Sequence, residues 1–320
     1  MILTVTLNAA LDVTYRVPRL EPHGSHRVRE VQERPGGKGL NVARVLAALG
    51  HDTVVTGFTG GRTGEAVRRL LAADTAGSDR PGHLGDALLP VGGSTRRTLA
   101  VVDDATGDTT QLNEPGPHIT REEWTGFLTG CRELLAGARG TCRALALCGS
   151  LPPGVPVGAY GTLVREARNA GVPVVLDTSG EPLRRGLAAR PELVKPNVAE
   201  LAGITGTNEP LHAAREARRR GAQEVVASLG AEGLIALTAE GTWRAAPPRP
   251  LAGNPTGAGD SAVAGLLAGL VEGLPWPQRL ARAVAVSAAT VSAPAAGEYD
   301  PAVYTDLLEK VVVTEEAPVA

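Results

Sequence analysis

Two hydrophobic periodicities alternate along the chain. Short apolar runs at Ile2–Leu7, Thr53–Phe58, Ala144–Cys148, Pro173–Leu176, Glu192–Lys195, Glu224–Ser228 and Leu234–Thr238 predict strands. Between them apolar residues recur at helical spacing. Val42, Val45, Leu46 and Leu49 share one helical face that Gly50 ends. Similar patterns predict helices over Glu65 to about Ala73, Arg121 to Ala136, Val157 to Ala170, a short one after Glu181, one opening at Val198, and others over Leu211–Arg220, Ala262–Val271, Pro277–Ser292 and Pro301–Lys310. Repeated strand–loop–helix units place the chain in the α/β class, as a doubly wound, mostly parallel sheet with helices on both faces.

Three stretches interrupt this rhythm. Val13 to Arg34 reads as short strands broken by Pro18, Pro22 and Gly24, a small hairpin extension rather than a βα unit. Thr95–Val102 and Thr109–Glu114 read as two strands around a turn at Asp104–Asp108. Residues 74–94 are rich in Gly, Pro, Ser and Asp and predict a long loop with at most one short strand. The tail after Thr314 is expected to fray.

The chain has 320 residues, which suits one large domain over 1–320 with a small appendage. Apolar residues make up 43% and aromatics only 3%, so Leu, Val and Ala must build the core, and the stacking platforms of nucleic-acid readers are scarce. A net charge of −2 gives no global attraction for nucleic acid or anionic lipid, so any anion site is local. Cys131, Cys142 and Cys148 form no C-x-x-C pair, and the six histidines fall at no ligand spacing, which fits a reduced, cytoplasmic compartment without a zinc site. The N-terminus has no basic leader segment. The longest apolar run, Ala262–Val271, is ten residues, short of the ~20 a membrane span needs.

Candidate chemistry concentrates at strand ends and helix starts. Asn254-Pro255-Thr256-Gly257-Ala258-Gly259-Asp260-Ser261 runs straight into an apolar helix. The glycines permit a tight turn, and a helix start offers unpaired N–H groups and a positive dipole end suited to phosphate. Asp260 is placed either to cap that helix or to take a proton from an attacking hydroxyl. Asp12 is expected just past the first strand, at the edge where α/β sheets bind ligands, and suits sugar hydroxyls or a solvated turn. Pro35-Gly36-Gly37-Lys38-Gly39-Leu40-Asn41 opens a second helix, but Gln32 and Gly39 stand where a P-loop needs Gly and Ser/Thr. Lys38 and Asn41 are candidates for an anionic or hydroxylated ligand. Arg96 is a candidate phosphate clamp or an exposed strand arginine. Arg218-Arg219-Arg220 reads as a solvated helix end. With Ser150, Asn197, Glu200 and the Ser228–Gly233 loop, these residues converge on the ligand edge of a doubly wound sheet. The set supplies a base, backbone anion cradles, hydroxyl binders and two cations, which suits phosphoryl transfer to a charged sugar.

Five segments in order carry a resemblance: Pro35–Ala43, Gly149-Ser150-Leu151-Pro152-Pro153-Gly154, Lys195-Pro196-Asn197, Ser228-Leu229-Gly230-Ala231-Glu232-Gly233 and Thr256–Ser261. From residue 1 to 310 the chain resembles PfkB-type carbohydrate kinases of the ribokinase-like fold. Within them it is most similar to the phosphosugar branch of tagatose-6-phosphate kinases and 1-phosphofructokinases. The resemblance implies ATP and Mg2+ as cofactors, and as substrate tagatose 6-phosphate, fructose 1-phosphate or fructose 6-phosphate. It makes Asp260 the general base and the N–H groups of Gly257, Ala258 and Gly259 the anion hole. Asp12, Gly37 and Asn41 would hold sugar hydroxyls, and Lys38 and Arg96 the sugar phosphate, with Ser150 beside the substrate. Ser228, Gly230 and Gly233 would line the nucleotide site, with Lys195 and Asn197 near its phosphates. Asn197 and Glu200 would influence the metal through water. The strands within about 13–34 and 95–114 would form a β-lid, which in relatives often pairs to make a dimer. Ser25 stands where some phosphofructokinases carry Lys, and Gln111 where relatives use a further Arg. A kinase of unphosphorylated sugars or nucleosides and a sugar sensor that has lost its chemistry are the alternative readings.

Overall fold

The computed structural model describes residues 1–76, 80–249 and 251–316. In chain order the elements are β1 (Ile2–Thr6), β2 (Ala10–Val17), β3 (Glu30–Gly36), α1 (Lys38–Ala48), β4 (Thr53–Thr59), α2 (Gly61–Ala76), β5 (Leu84–Pro90), β6 (Arg96–Asp103), β7 (Thr109–Asn113) and α3 (Arg121–Leu135). They continue with β8 (Ala144–Cys148), α4 (Ala159–Asn169), β9 (Val174–Asp177), α5 (Gly180–Leu187), β10 (Leu193–Val194), α6 (Val198–Thr205), α7 (Pro210–Arg219), β11 (Glu224–Ser228) and β12 (Leu234–Leu237). The last are β13 (Thr242–Ala246), α8 (Ala258–Val271), α9 (Trp276–Val291), α10 (Pro301–Lys310) and β14 (Val312–Glu316).

Ten strands form the main sheet in the order β14-β13-β12-β11-β10-β9-β8-β1-β4-β5. The run from β11 to β5 is parallel, while β12, β13 and β14 add antiparallel at one edge. Helices cover both faces, as the repeated strand–helix pattern predicted. Side chains alternate between the faces, and residue size alternates with them. Leu145 and Leu147 of β8 join the core under α3, α4, α6 and α7. Ala144 and Ala146 face the other way, toward α1, α8 and α9. The small face lets α8 lie close to the sheet, and α8 is itself buried from Asp260 to Gly269. A helix buried all round needs no polar stripe, which is why its sequence shows none.

The order reverses at β1, since the chain first moves outward to β4 and β5 and later the other way from β8 to β11. The loops after β1 and β8 therefore diverge and leave a crevice at the carboxyl ends of the strands.

A second sheet, β3-β2-β6-β7, stands apart from the first. Its β2 strand is rooted by Leu11 and Val13, which pack with Leu40, Ala43, Val67 and Leu71 of α1 and α2. β7 is exposed along its whole length.

Four local expectations change. Asp12 lies inside β2 of the small sheet rather than in a turn after β1, because the chain re-enters extended structure at Ala10. Within 74–94, α2 continues to Ala76 and β5 is a full seven-residue edge strand, whereas residues 77–79 lie outside the described part. Thr242–Ala246 is a strand that the sequence pattern did not flag. The tail is not frayed up to Glu316, because Val312–Glu316 pairs with β13 from Ala246 back to Thr242. The expectation for residues 317–320 falls outside the described residues.

Candidate active site

The loop before α8 is shaped by Gly257, which takes φ 84° at the helix N-cap. A Cβ there would be strained and would also meet Ala296 at 2.8 Å. The turn lets α8 begin with the N–H group of Gly259 open, whereas the N–H of Ala258, which the resemblance places in the anion hole, donates to Pro255 O at 3.1 Å. Asp260, in the first turn, is 6% exposed, and its Oδ2 accepts from Asn41 Nδ2 at 2.8 Å. Burial pushes its carboxyl up to about 6, against the lowering pull of Lys38. Asn41 comes from α1, so the Gly36–Asn41 loop and the Gly257–Asp260 loop meet side by side.

Behind them lies a carboxylate that the sequence reading left as a strand end. Asp177, at the end of β9, is 1% exposed. Its Oδ2 accepts from Lys38 Nζ at 3.2 Å, and its Oδ1 faces Lys195 Nζ at 3.6 Å without a hydrogen-bond partner of its own. Burial would lower the Lys38 pKa, but Asp177 and Asp260 outweigh it and hold the ammonium above its usual range. Lys195 is also buried, and a Cβ on Gly259 would lie 3.6 Å from its Nζ. One buried carboxylate thus positions two ammonium groups beside the anion loop. An Asp closing a buried strand at the ligand edge was the available signal for it.

The crevice between β1 and β8 holds a cavity of about 360 Å3 lined by Asn8, Lys38, Arg96, Ser150, Thr178 and Glu200, among others. Arg96 is steered by main-chain carbonyls: Nε donates to Asn8 O at 3.1 Å and Nη1 to Glu114 O at 3.4 Å. Ser150 Oγ accepts from Asn8 Nδ2 at 3.1 Å. Lys38 is in direct ion-pair contact with Asp177, a carboxylate it shares with Lys195, whereas Arg96 makes its hydrogen bonds to main-chain carbonyls.

Asp12 is held differently. It lines a smaller cavity of about 130 Å3 with Arg34, Thr98, Gln111, Asn254 and Thr256, between the small sheet and the anion loop. A Cβ on Gly36 would fall 2.1 Å from Asp12 Cγ, so the glycine makes room for this carboxylate. Burial pushes Asp12 up to about 6, with Arg96 opposing. Gly37 caps α1 directly beneath.

On the other side of the anion loop, Ser228, Gly230, Gly233, Ala258 and Gly259 line a third cavity of about 380 Å3, walled by Pro247, Leu251, Val284 and Val291. Asn197 and Glu200 form a reciprocal capping box on α6, each side chain accepting from the other's backbone N–H at 2.8 Å. Asn197 therefore has a structural task that the sequence reading did not assign. Among the described residues no cluster of three His, Cys, Asp or Glu side chains converges as a metal site.

Arg44 braces this arrangement. It is 1% exposed, pairs with Asp74 at 2.7 Å and Glu298 at 3.0 Å, and donates to Ala296 O at 3.1 Å. Arg34 of the small sheet reaches the same Glu298. The segment that packs on Gly257 is thereby tied to α1 and to β3.

An anion loop with a buried carboxylate, flanked by one mostly apolar and one cationic cavity, defines a phosphotransferase crevice. The chain matches the pfkB family carbohydrate kinases over residues 3–302 and belongs to that family. It is a sugar kinase, transferring phosphate to an alcohol, on a ribokinase-like fold. Escherichia coli phosphofructokinase-2 in complex with fructose-6-phosphate is 28% identical, with a TM-score of 0.84 over 97% of this chain and 98% of that one. A Thermotoga maritima protein described as a possible 1-phosphofructokinase is 26% identical, with a TM-score of 0.87 over 99% and 100%. Arabidopsis thaliana ribokinase, at 21% identity and a TM-score of 0.73 over 96% and 98%, shares the fold. No helix among the described residues is long and apolar enough to cross a membrane.

Proposed function

We propose that the protein transfers the γ-phosphoryl group of ATP to a hydroxyl of a hexose monophosphate, with tagatose 6-phosphate and fructose 1-phosphate as leading acceptors and fructose 6-phosphate as the third. The observation that carries this reading is Arg96, which lines the same cavity as Lys38 and Ser150 and has no carboxylate in ion-pair contact among the described residues. A free sugar would give such a cation nothing to neutralise. The bound Escherichia coli phosphofructokinase-2 structure, with fructose-6-phosphate, lends support at the level of substrate class.

In this reading the Ser228–Gly233 cavity takes the nucleoside, and its phosphates run over the N–H groups of Gly257, Ala258 and Gly259 toward Lys195 and Asn197. Asp260 accepts the proton of the attacking hydroxyl, its raised pKa keeping it a usable base near neutral pH. Asp12, Gly37 and Asn41 hold sugar hydroxyls. Lys38 serves the sugar phosphate only if its pair with Asp177 loosens, so Arg96 is the principal clamp. Mg2+ prefers few protein ligands and several waters, and Asn197 and Glu200, already engaged in the α6 capping box, would reach it through water. The small sheet acts as a lid over one α/β domain. Its exposed Val31 and Leu112, 57% and 58% accessible, suit pairing with a second lid in a homodimer. Three buried free thiols accord with a cytoplasmic setting.

Coupled ADP release tests the reading directly, with tagatose 6-phosphate, fructose 1-phosphate, fructose 6-phosphate and free fructose compared by kcat/KM. One phosphorylated hexose should exceed free fructose by about a hundredfold or more, the scale of a buried charge-assisted contact. Arg96→Ala should raise KM for that sugar about tenfold and leave KM for ATP unchanged. Preference for the free sugar, or equal effects of Arg96→Ala on both KM values, would overturn it.

A further inference from the structure

The opposite edge of the main sheet carries a second charged concavity that the kinase reaction does not use. An open groove of about 1250 Å3 runs between the ends of α5 and α7, the β12–β13 turn and the start of α9. Six guanidinium groups line it: Arg190, Arg215, Arg218, Arg219, Arg220 and Arg279. They come from three separate parts of the chain, so the triple arginine of α7 is one side of a convergent set and not an isolated helix end.

Among the described residues, four of the six have no carboxylate within ion-pair distance. Arg219 and Arg220 share Glu216. Arg218 donates only to the main chain, at Thr238 O, 3.0 Å away. Arg279 donates to Leu274 O at 3.1 Å, stacks 4.5 Å over the Trp276 ring, and leaves its Nε buried without a partner. Arg190 and Arg215 make no ion pair among the described residues. Arg190 sits at φ 64°, an unusual conformation for a side chain of its size, at the groove's rim. Three glutamates also line the groove. Glu192 is engaged by Val174 N and Gln223 Nε2, and Glu224 by Trp276 Nε1, so two of the three have partners. A groove with an excess of unpaired guanidinium and a few oriented carboxylates matches a ligand that carries several phosphate charges and also hydroxyl groups.

We propose that this groove binds a phosphorylated, hydroxyl-bearing small molecule, such as a nucleotide or a sugar bisphosphate, at a site separate from the catalytic crevice. The position gives the ligand a physical route to the reaction. α8 has 14 residues and so runs about 21 Å, with Asp260 at one end and Leu270 on the groove wall at the other. A Cβ on Gly269 would meet Arg279 Cγ at 2.7 Å, so the groove's Arg279 rests directly on this helix.

The test uses the full chain with its crevice saturated by Mg2+, a non-hydrolysable ATP analogue and the preferred sugar phosphate. Tripolyphosphate, ADP and fructose 1,6-bisphosphate are then titrated by calorimetry. ADP or fructose 1,6-bisphosphate should bind with one further site per chain. Arg190→Asn with Arg215→Ser should weaken that event about tenfold or more, since each removes a charge-assisted contact, and should leave basal kcat unchanged. Binding of ADP or the bisphosphate tighter than tripolyphosphate would support the proposal, and binding of tripolyphosphate alone would overturn it by assigning the site to a free polyphosphate. No second event with any probe, or one that survives the double variant, would overturn the proposal. Binding confined to oligonucleotides or acidic peptides would overturn it equally, by making the groove a macromolecular surface.

Discussion

Asp260 and Asp12 are both carboxylates that burial pushes up to about 6, yet they stand in regions built in opposite ways. Asp260 is carried on a helix enclosed by the sheet, α1 and α9, and its neighbours Asn41 and Lys38 come from the first turn of α1, fixed by the same packing. Asp12 is carried on a four-stranded sheet whose roots are buried but whose outer strand β7 is exposed throughout. The first arrangement holds one geometry, as an anion hole and base require. The second is tied to the rest at its roots and through Arg34 and Arg96, while its outer strand faces solvent. On the function proposed above, chemistry would sit on the enclosed element and sugar selection on the more exposed one.

The largest effect that could break this division is on turnover. Asp260→Asn keeps the volume and a hydrogen bond to Asn41 but removes the proposed base. Its kcat should fall by about 10²–10⁴, the usual contribution of general base catalysis, while calorimetric ATP affinity stays within about twofold. A variant that keeps near-normal kcat would move the base elsewhere.

Asp12→Asn should behave differently. Here KM for the sugar phosphate should rise about tenfold, as expected for a lost charged hydrogen bond, with kcat changed far less. A kcat loss as deep as that of Asp260→Asn would erase the contrast between the two regions.

How much of this contrast was readable in the sequence follows from where information is local. The Gly257–Asp260 turn announces itself because glycine geometry, helix start and acid lie within four consecutive residues. Parallel strands announce themselves because both faces are buried and the runs are apolar. Asp12 was placed in the wrong element because nothing local says that the chain leaves β1 for only three residues before pairing with β3 and β6. β13 and β14 were missed for a related reason. Both have mixed exposure, and β14, the edge strand, pairs with β13 across some seventy positions of sequence. Asp177 stayed hidden because its meaning depends on Lys38 and Lys195, which arrive from other loops. The arginine groove is the same case at the far edge, where Arg218-Arg219-Arg220 changes meaning only beside Arg190 and Arg279.

The smallest effect sharpens the comparison through pH. A carboxyl raised from 3.8 to about 6 keeps a proton in the folded state that the unfolded chain has already released. Between those values the folded protein binds more protons, so stability falls as pH rises, and the full penalty is present above about pH 6. Two units at 1.36 kcal/mol each set an upper bound of about 3 kcal/mol on that penalty. Asp260→Asn has no charge to bury. The ligand-free variant should therefore melt higher than the native protein at pH 8, by on the order of 2–4 °C, and the gap should close below about pH 4. Asp12→Asn should gain less, because removing Asp12 leaves Arg96 without its nearest countercharge. Activity runs the other way: kcat/KM of the native enzyme should decline as pH drops through about 6, and should still do so in Asp12→Asn if Asp260 alone is the base. A low-pH decline that vanishes in Asp12→Asn would instead make the lid carboxylate the titrating group and reverse the roles assigned to the two regions.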